Sequence, residues 1–183
     1  MLSLKTRCTT GWSNPGGSKG AGLLLQGRHA EALPVLLNGL NSFRATGAAV
    51  RVPYYLSILG VAFTQASRFE DAHRVLNEGL AIAEKNEDRF QEAELHRLKG
   101  ELLRAESRDG ADVEKCFRQA IEIARRQQSK AWELRATMSL SRLWQSRCRS
   151  ADAHAALTAI YCTYTEAFAT PDLVDAKALL QSL

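Results

Sequence analysis

Residues able to do chemistry are few in this 183-residue chain, and they are poorly grouped. The four cysteines stand at positions 8, 116, 148 and 162. No two make a Cys-x-x-Cys pair, and no histidine lies beside them at the spacing a zinc site needs. Four free thiols suit a reducing cytoplasm. His29, His73, His96 and His154 include no i,i+4 pair, so they read as surface histidines and not as helical metal ligands. No Ser/His/Asp or Cys/His combination can be assembled from spacing. Gly16-Gly17-Ser18-Lys19 has the flavour of a phosphate loop, but that motif requires Gly-x-x-x-x-Gly-Lys-Ser/Thr between a strand and a helix. Here the glycine spacing differs and no strand precedes. The expectation is a protein that is not an enzyme, with no cofactor and no metal.

Arginine is what the chain has in quantity. The net charge is +4, yet between Arg97 and Arg149 there are 13 Lys/Arg against 7 Asp/Glu, a surplus of six. Such a stretch can attract an acidic partner, although acids interleaved throughout also suit a solvated helix surface. There is no recognition-helix signature and no platform of stacking aromatics, which argues against nucleic acid. The N-terminus lacks the apolar run of a secretion signal, and no window nears the ~18 apolar residues of a membrane span.

The elements that must position these arginines are helices. Three of the four prolines lie in the first 53 residues, and helix formers dominate the remainder of the chain. Four segments superpose: residues 27–40, 67–80, 110–121 and 148–161. A small residue recurs at Ala32, Ala72, Val113 and Ala153, at separations of 40, 41 and 40. Four residues later stands a large apolar one (Leu36, Leu76, Phe117, Leu157), and four later again another (Leu40, Leu80, Ile121, Tyr161). Positions i, i+4 and i+8 share a helical face, so each segment is an amphipathic helix whose small residue admits a close neighbour. Arg28, Arg68 and Arg149 each precede the small residue by four. Upstream of these segments run further apolar-periodic stretches: Leu56, Leu59, Phe63; Leu95, Leu98, Leu102; and Leu140, Leu143, Trp144. A fixed period near 40, which also separates Gly60 from Gly100, is that of a solenoid of helical hairpins. Residues 1–18, rich in glycine around Asn14-Pro15-Gly16-Gly17, read as a flexible leader outside the fold. Residues 19–169 carry the repeats, the first of them truncated to a short helix near Gly20. Thr170-Pro171-Asp172 then opens a C-terminal capping helix over 170–183.

Leu56-x-x-Leu59-Gly60-x-x-Phe63, followed by Ala72 and Leu76, resembles the tetratricopeptide repeat. It departs from that family in its period, which is roughly 34 there, in lacking the final proline, and in Ser141 where glycine is expected. Residues 88–103, 116–144 and 167–180 further resemble the C-terminal repeat region of bacterial multidomain signalling regulators. In those proteins the repeats follow nucleotide-cyclase or DNA-binding domains and an ATPase switch. The fold implied is all-α: a right-handed solenoid of about three and a half tetratricopeptide-like units with a capping helix. The resemblance also implies that the first helix of each unit lines a concave groove. Carried onto this chain, the groove positions are Tyr54, Ser57, Val61 and Thr64, then Glu94, Arg97, Glu101 and Arg104, then Arg135, Met138, Arg142 and Gln145. The residues expected to touch a partner are Tyr54, Arg97, Glu101, Arg104, Arg135, Met138, Arg142 and Gln145. Against this stands pairing of Glu94, Arg97, Glu101 and Arg104 along their own helix. Arg135 and Arg142, with only Glu133 near in sequence, are the stronger candidates. The implied role is a non-catalytic scaffold or sensor that binds a protein or an acidic peptide. The alternatives are a small-effector pocket near Tyr54, Tyr55 and Phe63, or a homodimer through Leu23 to Leu25 of the truncated first repeat.

Overall fold

The computed structural model describes residues 15–47, 51–85, 89–107, 110–166 and 169–183. Among these the chain is all-α, with no strand, and no helix is long and apolar enough to cross a membrane. It divides into two compact units, Met1–Gln91 and Glu92–Leu183.

The first unit holds α1 (Pro15–Leu25), α2 (His29–Ala45), α3 (Val52–Gln65), α4 (Phe69–Lys85) and a 3₁₀ turn at Arg89–Gln91. Helices adjacent in sequence pack on one another, and α1 also meets α3. The second unit holds α5 (Glu92–Ala105), α6 (Ala111–Arg126), α7 (Lys130–Gln145), α8 (Ser150–Tyr161) and α9 (Pro171–Ser182). Its pattern is the same: α5 packs on α6, α6 on α7 and α7 on α8, while α5 also meets α7 and α9 meets both α7 and α8.

One contact recurs in all four hairpins. A Cβ on Gly60 would lie 2.5 Å from Leu76, and one on Gly100 would lie 2.5 Å from Phe117, so in these hairpins the absence of a side chain makes room for the large residue of the next helix. Gly20 stands in the same relation to Leu36, at 2.6 Å. In the fourth hairpin Ser141 takes the position, fully buried, and its hydroxyl donates to the Ala153 carbonyl at 3.3 Å. Leu36, Leu76 and Phe117, which the three glycines face, and Leu157 at the matching place of α8 are all 0–1% exposed. Close approach of backbones converts a small residue on one helix and a large one on the next into a filled seam.

The turns inside the hairpins are built alike. Gly27, Ser67, Ser107 and Cys148 all have positive φ, between 57° and 75°. At Gly27, Ser67 and Cys148 the next amide reaches back five residues to close a Schellman motif, as Arg28 N–H does to the Leu23 carbonyl at 2.9 Å. The arginine after the turn has a structural task. Arg68 pairs with Asp71 and lies 4.8 Å from the Phe63 ring, and Arg149 pairs with Asp152 and lies 4.7 Å from the Trp144 ring. Arg28 pairs with Glu31 in the same register.

The first hairpin is more complete than its sequence suggests. Residues 1–14 of the expected leader lie outside the described residues, but α1 begins at Pro15, a residue suited to a first helical turn. Leu23 and Leu24 are 9% and 2% exposed, so they do not form the open apolar end that the homodimer would need, and the side chain of Leu25 lies outside the described ones. The cause is α2, against which α1 packs through the Gly20–Leu36 contact. At the other terminus a helix stands where the sequence predicts one, α9: Thr170 is extended at its N-cap, Pro171 opens it, and Leu173, Ala176 and Leu179 are buried.

Candidate functional site

The residues singled out for partner binding in the second unit, together with the acids that meet them, belong to three helices, α5, α7 and α9. On α5, Leu95 and Leu102 are fully buried on one side of the helix. Glu94, Arg97, Glu101 and Arg104 fall at i+3 and i+4 spacings along another side, so they can meet one another without help from the rest of the fold.

They do meet. The Arg97 guanidinium forks onto Glu94, with Nε to Oε2 and Nη2 to Oε1 both at 2.8 Å. Its Nη1 approaches Glu101 Oε1 at 3.5 Å and donates to Ser139 Oγ of α7 at 3.2 Å. Ser139 in turn donates to Glu101 Oε1 at 2.7 Å. Glu94, Glu101 and Ser139 are 8%, 6% and 1% exposed, which makes this a buried ionic network. Burial favours the neutral form of the Glu94 carboxyl, but Arg97 and then Arg135 outweigh it and hold the group below its ordinary value. Burial likewise opposes the Arg97 charge, and Glu94 and Glu101 more than restore it. Arg104 sits at the end of the network, its Nε 3.9 Å from Glu101 and its side chain 36% exposed.

Arg135 is engaged as well. Its Nε donates to Asp172 at the start of α9 at 3.0 Å, its Nη1 lies 3.9 Å from Glu94, and its guanidinium stacks 4.9 Å from the Trp132 ring. Trp132 is partly buried and packs against Ala93, Ile123 and Ala124, so it serves as packing. Met138 is 5% exposed, in the cluster that Leu134 forms with Leu157, Leu173 and Leu179. Gln145 donates from Nε2 to the Ser182 carbonyl of α9 at 2.9 Å. The helix α9 therefore takes up Arg135, Met138 and Gln145.

Arg142 differs from its neighbours. It is half-buried on α7, and no ion pair or hydrogen bond joins its guanidinium to another of the described residues. Burial lowers its pKa, and Arg97 and Arg104 push in the same direction against the pull of Glu101 and Asp175. Tyr54 belongs to the first unit, where it is half-buried and edge-on to Tyr55 with ring centroids 6.3 Å apart.

A second arginine cluster surrounds Trp144 in the same unit as Arg142. Glu114 of α6 takes Arg118 at 2.8 Å, Arg149 at 3.5 Å and Arg147 at 3.7 Å, while Arg118 and Arg149 approach the Trp144 ring to 5.3 and 4.7 Å. It joins α6 to the ends of α7 and α8, which explains part of the basic surplus as structure. His96 departs from the expected surface role: it is half-buried, and burial together with Lys99 lowers its pKa to about 4. Among the described residues, no group of three or more His, Cys, Asp or Glu side chains could hold a metal ion.

Sequence reasoning missed Ser139 and Asp172 as partners of the arginines. Their signals are faint: a small polar residue at a helical core position, and an acid in a first turn whose charge also suits its own helix.

No family model matches the chain. The chain is similar to an uncharacterized protein of Rhizobium meliloti (strain 1021), with 35% identity over 107 residues. That stretch covers 58% of this chain and 10% of the relative, so the chain spans about a tenth of that protein's length.

Proposed function

We propose that this chain is a tetratricopeptide-like helical-repeat module, a right-handed solenoid that binds a protein or peptide segment in the cytoplasm and catalyses nothing. The reading is carried by the recurrence of one contact. A glycine or serine of a first helix meets the second helix closely in every hairpin, at positions 20, 60, 100 and 141. The side-by-side packing of first helices within each unit, α1 with α3 and α5 with α7, supports it too. Stacked hairpins present their first helices as a continuous surface, which is how such modules bind extended partners. We place the module within a bacterial signalling regulator, and the much longer relative agrees with a role inside a larger protein.

On this reading the groove of the second unit binds through what its internal pairing leaves over. Arg97 and Arg135 are held by acids of the chain, whereas Arg142 and the more exposed Arg104 remain available to a ligand. The test is selection of a random peptide library on the purified chain. Enriched peptides should bind the parent and lose affinity to an Arg104→Glu/Arg142→Glu variant whose melting temperature is unchanged. A library that yields no enriched sequence would sink the proposal.

A further inference from the structure

We propose that the start of α6 and the turn between α7 and α8 form a receptor for a phosphate group, gripped by Arg147 and Arg149 together with the first amides of α6. The site is separate from the residues of α5, α7 and α9 described above, and it does not rest on the peptide-binding reading.

The first ground is an excess of guanidinium over carboxylate at short, uneven distances. Oε1 of Glu114 is filled by Arg118, whose Nη2 and Nε donate to it at 2.8 and 3.0 Å. Oε2 faces two further guanidiniums, with Arg149 Nη1 at 3.5 Å and Arg147 Nη1 at 3.7 Å. A charge-assisted N–H···O bond runs at about 2.7–2.9 Å, so both cations gather at Glu114 without being held tightly by it. Arg149 has a second acid, Asp152, at 2.8 Å from its Nε. Arg147 has the weaker company of the Gly110 carbonyl, to which its Nη2 donates at 3.3 Å. The side chains of Arg147 and Arg149 are 30% and 41% exposed, so a ligand reaches them.

The second ground is the helix start beneath them. The N-cap of the 16-residue α6 is Gly110, and no side chain caps it by a hydrogen bond. The first amides of α6 thus lack the usual side-chain acceptor, and the positive end of the helix dipole adds to the arginines. Arg147, through its bond to the Gly110 carbonyl, is fixed at this end. The exposed Asp112 of the same turn works against an anion, and the exposed Lys115 offsets it.

The third ground is Trp144. It is 6% exposed, and its Nε1 is buried without a hydrogen bond. The indole N–H is nonetheless aimed into the cluster from the core. Burial raises the Glu114 pKa, but Arg118 and the indole N–H outweigh it and hold the carboxyl below its ordinary value. Arg149 lies 4.7 Å from the same ring, which braces it in place.

The chemistry favours phosphate over carboxylate. Donors come from two guanidiniums and a helix start, more than the two oxygens of a carboxylate can serve. A phosphate monoester offers three oxygens and nearly two negative charges, against cations that share Glu114 and Asp152. Arg118 keeps its fork on Glu114 while Arg147 and Arg149 turn to the ligand.

The test titrates the full chain with inorganic phosphate at constant ionic strength, at a pH of about 7.5 where the dianion prevails. The readout is the Trp144 indole N–H resonance in nitrogen-15 NMR, assigned with Trp144→Phe. Acetate, a phosphoserine tripeptide and its serine counterpart are the other probes. A saturable shift with phosphate and a far weaker response to acetate and to the serine tripeptide are expected. Arg147→Gln should weaken phosphate binding about tenfold. Glu114→Gln, which removes the resident carboxylate, should tighten it several-fold. Arg147→Gln alters only loosely held contacts, so it decides the matter whether or not the Glu114 variant folds. Tighter binding of the phosphoserine tripeptide than of free phosphate supports a modified side chain as the source, and the reverse supports a small ligand. A shift that never saturates, acetate binding as tightly as phosphate, or unchanged affinity in Arg147→Gln overturns the proposal.

Discussion

At the scale of single residues, the second unit shows arginines with opposite fates on neighbouring helices. Arg97 is enclosed by Glu94, Glu101 and Ser139, whereas Arg142 is left without an ion pair among the described residues. Removing one member of a buried ionic network leaves the others charged and unpaired, which costs far more than the network contributes as a whole. Arg97→Ala should therefore lower the unfolding free energy by about 3–5 kcal/mol in urea titrations. The triple change Arg97→Met, Glu94→Gln, Glu101→Gln should cost much less, because no buried charge is left behind. His96 gives a pH signature. Its folded pKa of about 4 lies below the ordinary value of 6.5, so the unfolded chain takes up the proton first. Stability is full above pH 6.5 and falls as pH drops from 6.5 toward 4. The carboxylate of Glu94, held below 4.5, adds its own loss only at the acid end of that range. Melting temperatures between pH 7 and 5 should decline in the parent and flatten in His96→Gln. An equal decline in both would assign the effect to other groups.

At the scale of elements, the hairpin is the unit that sequence and structure share, and its seam is where substitutions should tell. Gly60→Ala gains helix propensity but sets a methyl 2.5 Å from the Cδ2 and 2.8 Å from the Cγ of fully buried Leu76. Overpacking should win, with a net loss of about 1–3 kcal/mol. Gly22→Ala, in α1 but off the seam, meets nothing within 4 Å and should stabilise by up to about 1 kcal/mol. Chemical denaturation of the two variants side by side checks both signs. The helices and their large core residues are legible in the sequence because the i, i+4, i+8 spacing around Leu36, Leu76, Phe117 and Leu157 is a local property. The first helix α1 is less so. Its glycines weaken the helical signal, and only the contact of Gly20 with Leu36 shows why a glycine is useful there.

At the scale of the whole molecule, each compact unit repeats the same sequential packing, and residues 92–183 hold their own apolar clusters around Phe117, around Leu157 and Leu173, and around Ile123. A fragment of residues 92–183 should unfold cooperatively on heating, as followed by circular dichroism at 222 nm. A broad, non-cooperative loss of signal would mean that this unit depends on the other. The sequence alone determined the helices, the period near 40 and the small-to-large alternation, since neighbours a few residues apart set these through propensity and burial. It also placed Arg97, Arg104, Arg135 and Arg142 on first helices. Only the tertiary structure decided which of them are spent. Arg97 meets Ser139 across 42 positions, and Arg135 meets Asp172 across 37. Pairings at that distance depend on how α5, α7 and α9 pack, which the spacing of charges along any one helix does not encode.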